Sequence, residues 1–186
     1  QNSSRTNFYK NILFPKADKT TWSSSLTTLP TDENKDIFDK NSVLERFNYQ
    51  LKKSGLITSK TLKPDFNWAS TDISEIKHSY KLDKYILLFP FCSPHLKIKK
   101  WPYYNKLIEL ISDKYGDNYK IVIAPGPSEI NDAKNIYALT LLDKGKALDI
   151  FQLTSLIKGS SFVVANDTGP AHISAHVGAT GLTLFG

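Results

Sequence analysis

The sequence has no methionine, a single cysteine and no long apolar run. One cysteine, Cys92, cannot form a disulfide within the chain. That excludes a disulfide-stapled fold and makes a reducing compartment the expected setting. No segment approaches the roughly 20 apolar residues that a membrane-spanning helix needs. The opening QNSSRTNFYK lacks the apolar centre of a secretory signal. A reading frame starts with Met, yet this chain opens on Gln1. It stops at LTLFG, directly after a run that reads as a buried strand. The expectation is an internal piece of a longer protein, with material missing at both ends.

What is present is a chain of 186 residues, 40% hydrophobic, with a formal charge of +6. That supports a sizeable core, in one large domain or parts of two. A basic excess serves nucleic acid, an anionic membrane surface or phosphorylated small molecules. The lysines are scattered except in HLKIKKW. Without a basic helix or zinc-knuckle spacing, nucleic acid is not the expected partner.

The first third is uneven and rich in turn formers. SVLERFNYQLKKSGL, 42–56, is its clear helix, with Val43, Leu44, Phe47 and Leu51 at helical spacing and Gly55 as C-terminal cap. The stretch 63–84 reads as a connection with one short helix near 72–80. From Tyr85 the pattern changes. YILLFPF, YKIVIAPG, SFVVAND and GLTLFG read as strands. Helices are expected in PYYNKLIELISDKYG, with Pro102 in its first turn, in PSEINDAKNIYAL, in ALDIFQLTSLIKGS, with Ile150, Leu153, Leu156 and Ile157 on one face, and in GPAHISAHVGA. Alternation of strands and helices predicts an α/β fold with a parallel sheet. The expected division is 1–62, a connection at 63–84, and 85–186.

In open α/β sheets ligands bind at the carboxyl ends of the strands. Three loops should therefore share one edge: PFCSPHLKIKKW, PGPSE and NDTGPAH. In the last, Pro170 fits the first helical position, which puts Gly169 near the N-cap and Asp167 and Thr168 just outside. A helix start offers free N–H groups and partial positive charge to a phosphate. Gly169 allows close approach, Thr168 offers a hydroxyl and His172 a first-turn donor. Equally, Asp167 and Thr168 can simply cap the helix. In the first loop, Ser93 offers a hydroxyl and Lys97, Lys99 and Lys100 offer charge to phosphate, or the loop is merely solvated. Glu129 either accepts from the two hydroxyls of a ribose or complements a helix dipole. His172 and His176 lie at i, i+4, but HExxH is absent and no third ligand is evident, so no metal is expected. His176 reads as a packed or partly exposed core neighbour, and Cys92 as a buried thiol at a strand end.

Three segments, LLFPFCSPHLKIKKWP, IVIAPGPSEI and SFVVANDTGPAHISAHVGATGLTLFG, resemble glycosyltransferase family 9, the ADP-heptose:lipopolysaccharide heptosyltransferases and their relatives. The last is the most specific: a strand, Asn-Asp-Ser/Thr-Gly-Pro, then His three after Gly. The opening QNSSRT also resembles the family's N-terminal domain. The resemblance implies a GT-B fold of two Rossmann-like domains, with 85–186 binding the nucleotide-sugar donor and 1–62 the end of the acceptor domain. It implies donor contacts from Asp167, Thr168, Gly169 and His172, with Ser93 and Lys99 near the diphosphate and Glu129 near the ribose. It implies inverting transfer of heptose or a related sugar from a nucleotide diphosphate, ADP-heptose above all, to a lipopolysaccharide core or lipid A-linked acceptor. It implies no metal or other cofactor, a cytoplasmic setting and peripheral contact with the inner membrane. The family's catalytic base is an Asp of an early loop that lies upstream of Gln1, so no catalytic residue is assigned in this chain. Pro90-Phe91 stands where the family often has Pro-Gly, which restricts close backbone approach there. A non-catalytic nucleotide-binding module with the same loops is the alternative, and a small metal hydrolase built on His172 and His176 a further one.

Overall fold

The computed structural model describes Phe8, Ile12 and residues 38–53, 55–59 and 65–185. QNSSRT and most of the first third lie outside the described residues. The chain divides into two compact units, Gln1–Pro64 and Asp65–Gly186.

In the first unit, helix α1 spans Val43–Lys53. Its start is a reciprocal capping box. The Glu45 N–H donates to the Ser42 hydroxyl, and the Ser42 N–H donates to the Glu45 carboxylate. These bonds to Ser42 hold the Glu45 carboxyl below its usual value. Its end is a Schellman motif, as Gly55 at the C-cap predicted. Gly55 has φ +77°, its N–H bonds to the Lys52 carbonyl, and the Leu56 N–H bonds to the Leu51 carbonyl.

The second unit is built on one five-stranded parallel sheet. In chain order its main elements are α2 (Ser74–Ser79), β1 (Tyr85–Phe89), α3 (Tyr104–Tyr115), β2 (Lys120–Ile123), α4 (Ile130–Ala133), β3 (Leu139–Thr140), α5 (Ile150–Lys158), β4 (Phe162–Asn166), α6 (Gly169–His176) and β5 (Gly181–Leu184). The strand order is β3-β2-β1-β4-β5, and every pairing is parallel. This is the expected α/β architecture. β1 is buried along its whole length, as a strand covered on both faces must be.

Alternation along the strands separates two cores. Tyr85, Leu87 and Phe89 pack with Ile76 of α2, Leu156 and Ile157 of α5 and Ile173 of α6. Ile86 and Leu88 face the other way, toward Tyr104 and Ile108 of α3 and Ala133 of α4. Leu87 has no exposed surface, so Leu87→Ala should cost about 2–5 kcal/mol. The Tyr85 hydroxyl donates to the Leu156 carbonyl at 2.6 Å, and burial pushes its pKa up to about 12.

Four local expectations are corrected. PSEINDAKNIYAL is α-helical only over Ile130–Ala133, and Leu139–Thr140 is instead an edge strand on β2. The reason is tertiary. The Asn105 side chain of α3 donates to the Asn135 carbonyl and accepts the Tyr137 N–H, so the helix ends and the chain returns to the sheet. Pro102 precedes the Tyr103 N-cap of α3 rather than occupying its first turn. Ile150 is half exposed, because α5 begins there behind its Asp149 cap; of the four apolar residues named, Leu156 and Ile157 turn fully inward. The GLTLFG strand is an edge and not a buried strand: among the described residues β5 pairs only with β4, and Leu182 is 55% exposed. Phe162, Val164, Leu182 and Leu184 line an open apolar groove of about 520 Å³ beside α3.

The stretch 65–84 packs within the second unit. Thr71 exchanges two hydrogen bonds with the Ser155 hydroxyl of α5, at 2.7 and 2.6 Å, and Ile73, Ile76 and Leu82 join the core.

Candidate functional site

The sheet order reverses direction between β1 and β4. β1 leads outward to β2 and β3, whereas the chain then returns to β4 and continues to β5. Loops leaving neighbouring strands to opposite sides open a crevice at the strand ends, where α/β domains bind ligands. A cavity of about 280 Å³ lies there. Ser93 after β1, Gly126 and Glu129 after β2, and Thr168 and Gly169 after β4 line it, so residues from all three predicted loops meet. Apolar walls come from Phe89, Phe91 and Leu153 among others, which motif reading had no means of assigning.

α6 begins one residue earlier than expected. Thr168 is its N-cap, and Gly169 and Pro170 open its first turn. Neither candidate capping side chain caps the helix. The Thr168 hydroxyl donates back to the Asn166 carbonyl at 3.2 Å. The Asp167 carboxylate is bound to Lys99, whose Nζ lies 2.5 Å from Oδ2 and also donates to the Asp167 carbonyl at 3.2 Å. The capping alternative for these two residues therefore falls away. A Cβ placed on Gly169 meets nothing within 4 Å, so that glycine keeps open space at the helix start.

Lys99 is thus an ion-paired lysine and not a free cation. The pair is partly shielded, with side chains 30% and 22% exposed. The hydrogen bond from Lys99 holds the Asp167 carboxyl below its ordinary value, and the nearby charges of Lys99 and His172 act in the same direction. Two of the three ammonium donors face Asp167, which leaves one for another acceptor. His172 is 71% exposed, with Nε2 3.9 Å from Asp167 Oδ1. Lys99, Asp167 and His172 thus stand together next to Thr168 and Gly169 of the cavity wall.

Glu129 stands in a tight turn. Its Oε2 accepts the Gly126 N–H at 2.8 Å, and its own N–H donates to the Gly126 carbonyl. Oε1 has no partner among the described residues, which leaves an acceptor on a residue of the cavity wall. Cys92 is half-buried rather than buried, and its thiol donates to the Leu96 carbonyl at 3.4 Å. His176 is half-buried and stacks on Phe66 at 5.4 Å, whereas His172 is beside Asp167. Among the described residues no group of three His, Cys, Asp or Glu side chains stands close enough to hold a metal ion. No described helix is long and apolar enough to cross a membrane.

One polar residue of the site was not singled out from the motifs. Asn166, the last residue of β4, is fully buried. Its sequence signals are a polar amide closing the apolar run FVVA and its place at the head of the Asn-Asp-Ser/Thr-Gly-Pro pattern.

Fold and crevice together define a doubly wound α/β domain of the kind that holds an anion or nucleotide at its strand ends. The particular family follows from comparison: residues 21–186 match the model of glycosyltransferase family 9 (heptosyltransferase), and the chain belongs to that family. A crystal structure of the glycosyl transferase family 9 protein from Veillonella parvula DSM 2008 superimposes with a TM-score of 0.61 at 18% identity, covering 80% of this chain and 45% of that one. E. coli heptosyltransferase WaaC with ADP-2-deoxy-2-fluoro heptose gives 0.55 at 21% identity, and WaaC with ADP gives 0.52 at 22%. Each covers 77% of this chain and 45% of WaaC. These likenesses carry the GT-B type of fold. The chain spans under half the length of these relatives. Among the curated proteins compared, none matches.

Proposed function

We propose that residues 85–186 are the donor-binding domain of an inverting glycosyltransferase, with 1–62 the end of its acceptor domain and 63–84 the connection between them. The observation that carries this is the uncapped start of α6 at the switch-point crevice, with Thr168 and Gly169 on the cavity wall and Lys99 bonded next to them. A helix start and a lysine suit a diphosphate. Glu129, with a free acceptor oxygen, suits the hydroxyls of a ribose, and Phe89, Phe91 and Leu153 suit the flat apolar face of a base. Ser93 adds a hydroxyl to the diphosphate side, and His172 a donor beside Asp167.

The proposed reaction moves heptose or a related sugar from a nucleotide diphosphate to a lipopolysaccharide core or lipid A-linked acceptor. The relatives' structures with ADP and with an ADP-linked fluoroheptose support ADP as the leaving group. A carboxylate base deprotonates the acceptor hydroxyl, which attacks the anomeric carbon as the diphosphate departs. Lys99 and the α6 start stabilise the charge that grows on the departing diphosphate. No metal enters this scheme. Work in the cytoplasm, at the inner face of the membrane that holds the acceptor, is supported by the +6 charge and by the span Lys84–Ile108, which contains no Asp or Glu.

Calorimetric titration with ADP, AMP and adenosine tests the reading. The expected result is ADP binding tighter than adenosine, unchanged by EDTA. Equal affinities, or none for any of the three, would overturn it.

A further inference from the structure

We infer that Asn166 is a positioning residue that ties both ends of the basic loop to the start of α6, so that Ser93, Lys99 and the helix start address one ligand. The backbone ladder between β1 and β4 ends at Phe89 and Ala165. Beyond it the strands part, because this is where the sheet reverses direction. Asn166 is the next residue. Its backbone is registered on Leu184 of β5, on the far side from β1. Its side chain continues the tie that the backbone has left.

Three contacts make that tie. Asn166 Oδ1 accepts the Trp101 N–H and the Tyr104 hydroxyl, each at 3.3 Å, and Nδ2 donates to the Phe91 carbonyl at 3.4 Å. Phe91 and Trp101 bracket the loop that carries Ser93 and Lys99. The Tyr104 hydroxyl also reaches the Phe89 carbonyl at 3.2 Å, and burial raises its pKa, so it remains a donor. Each bond is long and individually modest. Asn166 and Tyr104 are buried, however, and a buried group deprived of its partner bears the full desolvation cost. Only a side chain with an acceptor and a donor side by side satisfies all three. An ionised carboxylate has no donor, and an aliphatic chain has neither. The neighbouring residue completes the arrangement: Asp167 holds the loop's Lys99 while Asn166 holds its ends.

The test uses the full chain and compares wild type with Asn166→Ala, Asn166→Asp and Tyr104→Phe. The first readout is backbone amide exchange and does not depend on any ligand. In Asn166→Ala, exchange over 92–101 should quicken about tenfold or more while β1 and β2 keep their protection. Asn166→Asp supplies a signature that a bulk structural role would not. At pH 8 the new carboxylate still accepts from Trp101 and Tyr104 but faces the Phe91 carbonyl without a proton, and the loop should be looser than in the wild type, by less than in Asn166→Ala. Near pH 5 the buried carboxyl takes up a proton, donates to Phe91 and should restore protection toward that of the wild type at the same pH. The groups facing this position are Tyr104 from α3, Lys100 near the Phe91 ring, and Lys99, Asp167 and His172. All are present in the wild type, so the wild type at the same pH is the reference.

The second readout rests on the nucleotide reading above: Asn166→Ala should bring ADP affinity down about tenfold, toward that of adenosine. A wild type that binds no ADP would sink that reading, and amide exchange would still decide the role of Asn166. If Asn166→Ala does not fold, Tyr104→Phe, which removes one hydroxyl, should loosen the same loop by a smaller factor. Wild-type exchange over 92–101 in the folded variants, or an Asn166→Asp profile parallel to wild type at every pH, would overturn the proposal.

Discussion

The starts of α5 and α6 lie in the same unit and differ in one respect. α5 is closed by its own side chains: Asp149 accepts the Gln152 N–H at 2.8 Å, and Gln152 accepts the Asp149 N–H at 3.0 Å. α6 has residues equally able to cap, yet Thr168 bonds backward to Asn166 and Asp167 is held by Lys99. A helix start costs stability when its N–H groups stay unpaired. At α6 Pro170 has no N–H and the Ala171 N–H bonds to the Thr168 carbonyl, so among the described residues the Gly169 N–H is left open where the three loops converge, which suits the acceptor proposed above. The difference teaches that composition at a helix start does not reveal a cap; the partners of the side chains do.

The comparison can be broken most severely by filling the open end. Gly169→Val adds bulk where a Cβ meets no protein atom. The expected outcome is ADP binding weaker by about 10–100-fold, the cost of forcing extra methyl groups into an occupied contact. The melting temperature should stay close to wild type. A variant that binds ADP normally would remove the α6 start from the site. Next comes Lys99→Ala, for which titration should show about tenfold weaker ADP binding and little change for adenosine. Equal losses for both would make Lys99 structural.

A smaller effect sharpens the contrast directly. Asp149→Ala removes a working cap and should cost about 1 kcal/mol in denaturant unfolding, with ADP affinity unchanged. Thr168→Ala removes no cap and should cost only a few tenths of that amount. Equal costs would mean that Thr168 caps α6 after all. The smallest effect is the pH dependence of the Lys99–Asp167 pair. Asp167 has its carboxyl pKa lowered in the folded chain from an ordinary 3.8. Its stabilising contribution is therefore present above that value and lost as pH falls through the lowered folded pKa. The stability difference between wild type and Lys99→Ala should persist at neutral pH and shrink below about pH 4. A difference constant down to pH 2 would contradict the pairing.

Much of this was readable from residues close in the chain. Gly55 announced the Schellman end of α1, and the apolar run YILLF announced a strand covered on both faces. Ser93, Glu129, Thr168 and Gly169 were chosen because loops after parallel strands share an edge, and they do line one cavity. The misses share a cause. α4 was drawn too long because the group that ends it, Asn105, lies 30 residues away from Asn135. That Asp167 holds Lys99 was not legible either, because the two lie 68 residues apart. Cys92 and β5 were read as more buried than they are, since a strand's pattern does not tell which neighbours flank it.

By itself, then, the sequence determined the alternation of strands and helices, the edge along which chemistry would gather, and the family motifs. These depend on apolar periodicity, turn residues and strand direction, all written into neighbouring positions. Only the tertiary structure decided which helix start is open, that Lys99 is held by Asp167, and that Asn166 bridges the parting of β1 and β4. Each of these is a contact across the switch point of the sheet. There the order of strands in space, and not the order of residues in the chain, sets which groups meet.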